Sequence, residues 1–465
     1  MTTNPLVNLG KFGQSPWLDF IERGLLLSGG LLRLVSEDGI TGVTSNPTIF
    51  EKAISGGREY DKQIRELAGR SAGVMEAYKE IVTEDIRRAA DVLRPVHDTS
   101  SGADGYVSLE VDPDLAYDTE GTIGRAEELF RAVSRPNVLI KIPGTREGLP
   151  AIEETIARGI PVNVTLIFSV KRYEEVAEAY IRGVERLAAS GKSPHRVASV
   201  ASFFVSRVDT AVDRLLDEVI PRWPGSPKAE TAISLKGKVA VANARLAYAR
   251  FGEIFSTPRW KELASRGARV QRPLWASTGT KNPKYSDVLY VDELIGRNTV
   301  NTMPLPTIDA FRDHGKVADT LSGKEKEARE VLDDLGLLDI GIEEVCEKLV
   351  RDGVQSFTDS YRQLLATIER KLSEAQVAYE TGRKRQREGG YDEDRDGGPR
   401  EDGSEHDSAP SARRAPGGCC RPLAGSGEGG RSRGGPPGRV GRRCGHEAVS
   451  PPGGLAHGPR RPPGR

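Results

Sequence analysis

The sequence predicts an α/β fold, namely a (β/α)8 TIM barrel followed by extra C-terminal helices. Within residues 1–380, short apolar runs alternate with longer amphipathic stretches. A strand followed by a helix, repeated about eight times, is the pattern of parallel βαβ units. A doubly wound sheet normally has a glycine-rich phosphate turn after its first strand, whereas the first predicted strand here leads into DFIERGLLLSGG. A closed barrel is therefore the favoured architecture.

The predicted strands are short apolar runs, and the predicted helices have an apolar face at helical spacing. The strands cover residues 16–20, 40–44, 105–111, 138–142, 160–167, 197–204, 273–277 and 299–303. The helices between them include residues 60–69, 77–93, 125–133, 170–187, 207–219 and 238–251. Three more helices, at 325–334, 342–351 and 357–375, are expected to pack outside the barrel or over its mouth.

The overall composition argues against several classes of protein. The 465 residues contain 67 Lys+Arg and 67 Asp+Glu, so the net charge is zero and favours neither nucleic acid nor an anionic membrane as a partner. The N-terminus MTTNPLVNLG lacks the pattern of a signal peptide, and no apolar run reaches the roughly 18 residues of a membrane span. A cytoplasmic protein is expected.

The C-terminal tail, residues 381–465, differs sharply in composition from the rest. It is rich in Gly, Pro and Arg and has no aromatic residue after Tyr391, so it is predicted to be disordered. Cys419, Cys420 and Cys444 lie there without the paired spacing of a zinc site. Two explanations stay open, a genuine low-complexity extension and an out-of-frame reading of a GC-rich gene end.

Polar residues gather where the predicted strands end, which is where barrel enzymes carry their active sites. If the barrel forms, these residues meet in one pocket. They are Asp19, Thr44, Ser45, Asn46, Glu110, Asp112, Lys141, Asn163, Thr165 and Ser202.

Lys141 interrupts the apolar strand VLIKIPGTREG (residues 138–148). It could be a solvated edge charge, half of an ion pair, or an amine kept uncharged for chemistry. A barrel has no edge strand, which favours the chemical role. A desolvated amine can attack a ketone and form a Schiff base.

The other strand-end residues fit that chemistry, although each has a structural alternative. Glu110 and Asp19 could be partners in ion pairs, or could share the proton transfers that Schiff-base formation and C–C cleavage require. Asn46 precedes Pro47 and could merely start a turn. Asn163 is unusual in a strand, and both amides could bind vicinal hydroxyls of a sugar.

Two cations point to a phosphorylated substrate. Arg207 starts the helix after the sixth strand and Lys281 lies in STGTKNP after the seventh, where barrels often bind phosphate. The three histidines before the tail, His97, His195 and His314, lie away from strand ends. Aldol chemistry without a metal or another cofactor is therefore expected.

Several motifs, read in order, make residues 1–380 resemble transaldolase. GVTSNPTIF is similar to the family's T-x-N-P signature, and VLIKIPGTREGLPAI to its Schiff-base strand. Further similarities lie in SLEVDPDLAYD, VNVTLIFS and SFFVSR. WLD, RPLWASTGTKNP and NTMPLPT resemble a bacterial form of the family.

The resemblance implies a role for each site residue. Lys141 would form the Schiff base, and Glu110 would be the main acid/base group, acting through a water held by Thr165. Asp19 would take the proton of the C4 hydroxyl during cleavage. The substrate-binding residues would be Thr44, Asn46 and Asn163 toward the sugar, and Ser202, Arg207, Lys281 and the weaker candidate Ser277 toward phosphate.

The implied reaction moves a dihydroxyacetone unit from sedoheptulose 7-phosphate to glyceraldehyde 3-phosphate in the non-oxidative pentose phosphate pathway. The implied partners are phosphorylated sugars. The sequence does not determine the oligomeric state, and a homodimer stays open. One alternative is a fructose 6-phosphate aldolase-like lyase that releases free dihydroxyacetone. Such aldolases tend to have tyrosine where this chain has Phe204, which favours transfer. The other alternative is a non-catalytic barrel.

Overall fold

The computed structural model of the chain describes residues 4–388, apart from the side chains of residues 382 and 384–388. Eight parallel strands form a closed barrel in chain order, with the first strand paired to the eighth. Every predicted strand is confirmed, with boundaries within two residues. The strands are β1 Gln14–Leu18, β2 Gly42–Thr44, β3 Tyr106–Glu110, β4 Val138–Pro143, β5 Val162–Ile167, β6 Ser199–Phe204, β7 Arg272–Ala276 and β8 Thr299–Met303.

Helices surround the barrel and cover its ends. Those from the first half of the chain are α1 Pro5–Leu9, α2 Arg23–Leu27, α3 Gly30–Asp38, α4 Pro47–Gly56, α5 Asp61–Gly69, α6 Val74–Thr99, α7 Thr119–Val133, α8 Gly148–Ala157 and α9 Val170–Ala189. Those from the second half are α10 Ser206–Arg222, α11 Pro227–Leu235, α12 Val239–Ile254, α13 Pro258–Ser265, α14 Leu289–Asp292, α15 Leu305–His314, α16 Glu325–Leu337 and α17 Ile342–Glu388.

The barrel strands are buried on both faces, as parallel strands covered by helices must be. All six residues of β4 and all six of β5 are buried, including Lys141 and Asn163. The register pairs Glu110 with Lys141 and Lys141 with Asn163, which places the three side chains on the same face of adjacent strands. Local sequence thus makes the strands, and the register brings their polar residues to one level of the barrel.

The C-terminal helices differ from the prediction in one respect. The helices predicted at 342–351 and 357–375 are a single helix, α17, because Gly353 between them does not end it. A Cβ atom at Gly353 would lie 2.9 Å from Leu166 Cδ2, so glycine lets α17 pass close to the barrel mouth. Glycine costs a helix interior only about 0.5–1 kcal/mol, which packing of α17 along α4 and α5 can offset.

Helix α17 continues to Glu388, beyond the expected domain boundary near residue 380. The rest of the tail predicted at 381–465, with its three cysteines, lies outside the described residues. Within residues 4–388, no helix is long and apolar enough to cross a membrane.

Candidate active site

A cavity of about 430 Å³ lies at the carboxyl ends of the barrel strands. Nine of the eleven predicted catalytic and binding residues line it. They are Asp19, Thr44, Asn46, Lys141, Thr165, Ser202, Arg207, Ser277 and Lys281. The remaining two, Glu110 and Asn163, lie directly behind this lining and contact it through hydrogen bonds. The barrel therefore brings the predicted set together.

Lys141 is 4 % exposed and is held from two sides. Its Nζ donates to Glu110 Oε2 and to the backbone oxygen of Ser45, both at 3.1 Å. The Phe357 ring lies 5.6 Å from Nζ. Burial raises the pKa of Glu110, while the Lys141 charge opposes that shift. A carboxyl group with a raised pKa beside an amine suits a role in which it must take and give protons.

Two buried oxygen atoms at the ends of the strands on either side of β4 have no hydrogen-bond partner among the described residues. They are Glu110 Oε1 and Thr165 Oγ1. Buried polar atoms are rarely left unpaired, and exceptions often mark places where a ligand or water binds. The hydrogen-bonding capacity of both atoms is therefore not used up by the described part of the chain.

Asp19 follows β1 and lies across the cavity lining from β4. Its Oδ1 accepts a hydrogen bond of 2.6 Å from Thr44 Oγ1, and Thr44 Oγ1 lies 2.7 Å from Thr302 Oγ1. Burial raises the pKa of Asp19, and the nearby Lys141 charge is the main opposing influence. The hydroxyl pair fixes one carboxylate oxygen and leaves the other to the cavity.

Asn46 has both of the roles that the sequence left open: it shapes the backbone before Pro47, and it lines the cavity. Its Oδ1 accepts from the Ile49 backbone N–H at 3.0 Å and caps helix α4, and Pro47 occupies the first helical position. With Oδ1 engaged, the amide NH₂ group is the part that Asn46 can offer to a ligand.

Asn163 does not line the cavity. Its Nδ2 donates to Ser108 Oγ at 3.0 Å, and its Oδ1 accepts from Ser202 Oγ at 2.7 Å. Both ends of the amide are thus used within the protein, and the residue is fully buried. Asn163 orients Ser202, which does face the cavity.

Two cations define another part of the cavity. Arg207 is half-buried between the rings of Phe204 and Phe357, at 5.4 and 5.8 Å, and burial lowers its pKa. Lys281 is exposed, and neither cation forms an ion pair with any side chain that the structure describes. Ser277, at a φ of +56°, lies with its Oγ 3.0 Å from Ser206 Oγ. Unpaired cations beside hydroxyl groups are suited to bind a phosphate.

Some cavity residues were missed by sequence reasoning. Ser356 and Phe357 come from α17, and no local pattern marked them because a helix over the barrel mouth is placed only by tertiary packing. Thr302 ends β8 in NTMPLPT and could have been found by extending the strand-end argument to the eighth strand. Lys52 of α4 also lines the cavity and carries no such signal.

Other polar candidates have different roles. Asp112 follows Glu110 by two residues but pairs with Arg125 at 3.1 Å, so it is not part of the cavity lining. His97, His195 and His314 lie elsewhere as well. Among the described residues, no group of three or more His, Cys, Asp or Glu side chains is arranged to hold a metal ion.

Comparison with known proteins agrees with this geometry. A sequence model described as Transaldolase/Fructose-6-phosphate aldolase matches residues 16–368. The chain is 51 % identical over 377 residues to a Transaldolase of Saccharopolyspora erythraea, covering 81 % of this chain and 100 % of the relative. It is 52 % identical over 374 residues to one of Parafrankia sp., covering 80 % and 99 %, and 50 % identical over 375 residues to one of Mycobacterium bovis, covering 80 % and 98 %. The chain therefore belongs to the transaldolase/fructose-6-phosphate aldolase family.

Proposed function

We propose that the protein is a transaldolase, a transferase of aldehyde and ketone residues in the non-oxidative pentose phosphate pathway. It transfers a dihydroxyacetone unit from sedoheptulose 7-phosphate to glyceraldehyde 3-phosphate, giving erythrose 4-phosphate and fructose 6-phosphate. The observation that carries the proposal is Lys141, a buried amine that faces the cavity beside a carboxylate with one unpaired oxygen. The names of the relatives support the same activity.

The proposed reaction begins at Lys141. Its proton passes to Glu110, 3.1 Å away, and the neutral amine adds to the ketone carbon of the donor. Glu110 then protonates the carbinolamine hydroxyl, through a water held by Thr165, and that hydroxyl leaves as water. The product is a protonated imine, which withdraws electrons from the neighbouring bonds. Glu110 and Thr165 each contribute an oxygen for which the described part of the chain supplies no partner, which fits this role.

Cleavage is assigned to Asp19. Its carboxylate accepts the proton of the C4 hydroxyl, the C3–C4 bond breaks, and its electron pair passes to the imine to form an enamine. The shortened aldehyde leaves while the enamine stays attached to Lys141. An incoming aldehyde is attacked by the enamine, Asp19 returns the proton to the new hydroxyl, and water releases the ketose product.

Substrate binding is divided between the two sides of the cavity. Thr44 and the Asn46 NH₂ group hold donor hydroxyls beside Asp19. Arg207 and Lys281 hold the phosphate, with hydrogen bonds from Ser202 and Ser277. Asn163 Nδ2 keeps a second N–H beyond its bond to Ser108, and its Oδ1 accepts from Ser202, so its contribution to binding is coupled to that of Ser202.

The direct test is reduction with borohydride in the presence of fructose 6-phosphate, followed by peptide mapping. The adduct is expected on Lys141. Lys52→Arg is a matched control, because Lys52 is the other non-phosphate lysine of the cavity and its loss should leave the adduct in place. An adduct on another lysine overturns the mechanism, and the absence of any adduct favours a non-catalytic barrel.

Acceptor dependence separates transfer from simple cleavage. Phe204 lines the cavity and lacks a hydroxyl to position a hydrolytic water, which favours retention of the enamine until an aldehyde arrives. Cleavage of fructose 6-phosphate should therefore require an added aldehyde. Fast release of free dihydroxyacetone without an acceptor would instead identify a fructose 6-phosphate aldolase-like lyase.

A cytoplasmic location and a homodimeric assembly belong to the same proposal. Phosphorylated sugars are retained inside cells by their charge, so an enzyme acting on them is expected there. The molar mass in solution, measured by sedimentation equilibrium, tests the assembly, and a mass of one chain contradicts the dimer.

A further inference from the structure

Helix α10 carries two buried carboxylates that the proposed chemistry does not use. The helix starts at the cavity with Ser206 and Arg207, and Asp209 and Asp213 lie in its next two turns. They are 1 % and 8 % exposed, and neither pairs with a cation of the described chain. A carboxylate buried without a cation is held by hydrogen-bond donors instead.

The two carboxylates bind the same two segments in the same way. Asp209 accepts from the Tyr290 hydroxyl at 2.9 Å and from the Ala240 N–H at 2.7 Å. Asp213 accepts from the Tyr285 hydroxyl at 2.6 Å and from the Gly237 N–H at 3.1 Å. In each case one oxygen holds the start of α12 and the other holds a tyrosine that follows β7.

Gly237 completes the Tyr285 contact. Its φ is +70°, and a Cβ atom there would lie 2.8 Å from the Tyr285 ring. The ring thus packs directly on the backbone while its hydroxyl binds Asp213. Packing and the hydrogen bond together leave the Tyr285 ring little freedom to move.

Both tyrosines belong to the segment that carries Lys281. This segment, residues 277–290, starts at the cavity, where Thr278 Oγ1 donates to Asn301 Oδ1 at 2.9 Å. Its far side is held by Tyr285 and Tyr290. Lys281 lies between these anchors, is exposed, and lines both the substrate cavity and a second cavity of about 290 Å³ that borders Asp209 and Asp213.

We propose that Asp213, acting through Tyr285, is a positioning residue that places Lys281 for the phosphate group of the substrate, with Asp209 and Tyr290 as the second anchor. Because Arg207 lies on the same helix as both carboxylates, α10 fixes the separation of the two phosphate-binding cations. The inference rests on the proposed function, since it assigns Lys281 to substrate phosphate. It predicts that the tyrosine hydroxyl affects discrimination between phosphorylated and unphosphorylated donors.

The test compares two donors in the Tyr285→Phe variant. Fructose 6-phosphate and unphosphorylated fructose are each varied at a fixed concentration of glyceraldehyde, so that only the donor can carry phosphate. Loss of one hydrogen bond should raise KM for fructose 6-phosphate by about three- to tenfold with little change in kcat. The kcat/KM for fructose should be unchanged. Asp213→Asn should shift the KM for fructose 6-phosphate in the same direction.

Tyr180→Phe is the matched control. The Tyr180 hydroxyl also donates a 2.6 Å hydrogen bond, to the Arg269 backbone oxygen ahead of β7, at the end of the barrel opposite the cavity. In this variant, the ratio of kcat/KM for fructose 6-phosphate to kcat/KM for fructose should be unchanged. The inference is overturned if Tyr285→Phe changes kcat/KM equally for fructose 6-phosphate and fructose, or changes neither, provided that the wild-type enzyme is active. A wild-type protein that transfers no dihydroxyacetone unit overturns the proposed function instead.

Discussion

Two buried ion pairs lie in different parts of this molecule and are built differently. Arg23 and Asp85 meet between α2 and α6, outside the barrel, with Nε and Oδ1 2.7 Å apart. Lys141 and Glu110 meet inside the barrel mouth, with Nζ and Oε2 3.1 Å apart. All four side chains are almost completely buried, so exposure alone does not distinguish the pairs.

Each guanidinium nitrogen and each carboxylate oxygen of the outer pair has a hydrogen-bond partner among the described residues. Arg23 also donates to Gln63 Oε1 and to the Ile81 backbone oxygen, and its guanidinium lies 4.7 Å from the Tyr60 ring. The second Asp85 oxygen accepts from the Tyr60 hydroxyl at 2.9 Å. Such a network holds α2 against its neighbours and engages both charged groups within the protein.

The inner pair is incomplete. Within the described residues, neither Glu110 Oε1 nor the Thr165 hydroxyl has a hydrogen-bond partner, and Lys141 faces a cavity. The difference teaches that a buried charge serves stability when its partners satisfy it, and is available for chemistry when they leave part of it unsatisfied.

The largest expected effect concerns Lys141. Lys141→Arg keeps a positive charge beside Glu110 but cannot form an imine, so kcat should fall by more than about 10⁴-fold. The free energy of unfolding, measured by urea denaturation, should change little. Retention of turnover would show that the inner pair is structural after all, like the outer pair.

Glu110→Gln should have the next largest effect. The amide keeps the shape of the side chain but cannot exchange protons, so kcat should fall by about 10²–10⁴-fold. Steady-state kinetics with fructose 6-phosphate measure this loss. An unchanged kcat with a lower free energy of unfolding would show that the inner pair serves stability and not catalysis.

Asp85→Asn addresses the outer pair. Removing the partner of the buried Arg23 charge should lower the free energy of unfolding by about 3–5 kcal/mol, because the guanidinium is left without its countercharge. The kcat of the folded enzyme should be unchanged. Tyr60→Phe is the milder control: it keeps the ion pair but removes the hydrogen bond to Asp85 and the one that the hydroxyl accepts from the Arg23 N–H, so it should cost about 2 kcal/mol. A drop in kcat without loss of stability would contradict the structural role.

Asp209 is a third kind of buried charge, and its contribution to the free energy of unfolding is expected to depend on pH. It has hydrogen-bond donors but no cationic partner in the described part of the chain, and burial raises its pKa to about 6. Between about pH 4 and 6 the folded protein therefore keeps a proton that the unfolded chain has released, so stability is lost as the pH rises through this window. Relative to Asp209→Asn, the wild-type free energy of unfolding should fall by up to about 3 kcal/mol across it. Urea denaturation at pH 4, 5, 6 and 7 measures this slope, and parallel curves for the two proteins would contradict the expectation.

The sequence by itself determined the strands, their order and the residues at their ends. Alternation of apolar runs with amphipathic stretches is a local property, and closure of a parallel barrel then brings all strand ends to one face. This is why Lys141, Asp19 and Thr165 could be assigned to one site without coordinates.

Only the tertiary structure decided which atoms of those residues are free. Asn46 uses its oxygen as a helix cap, Asn163 uses both ends of its amide inside the barrel, and Glu110 keeps one oxygen unpaired. Helix α17 reaches the mouth because glycine at position 353 permits its approach, and it delivers Phe357 to Lys141. Hydrogen-bond satisfaction and close packing depend on residues far apart in the chain, which no local pattern records.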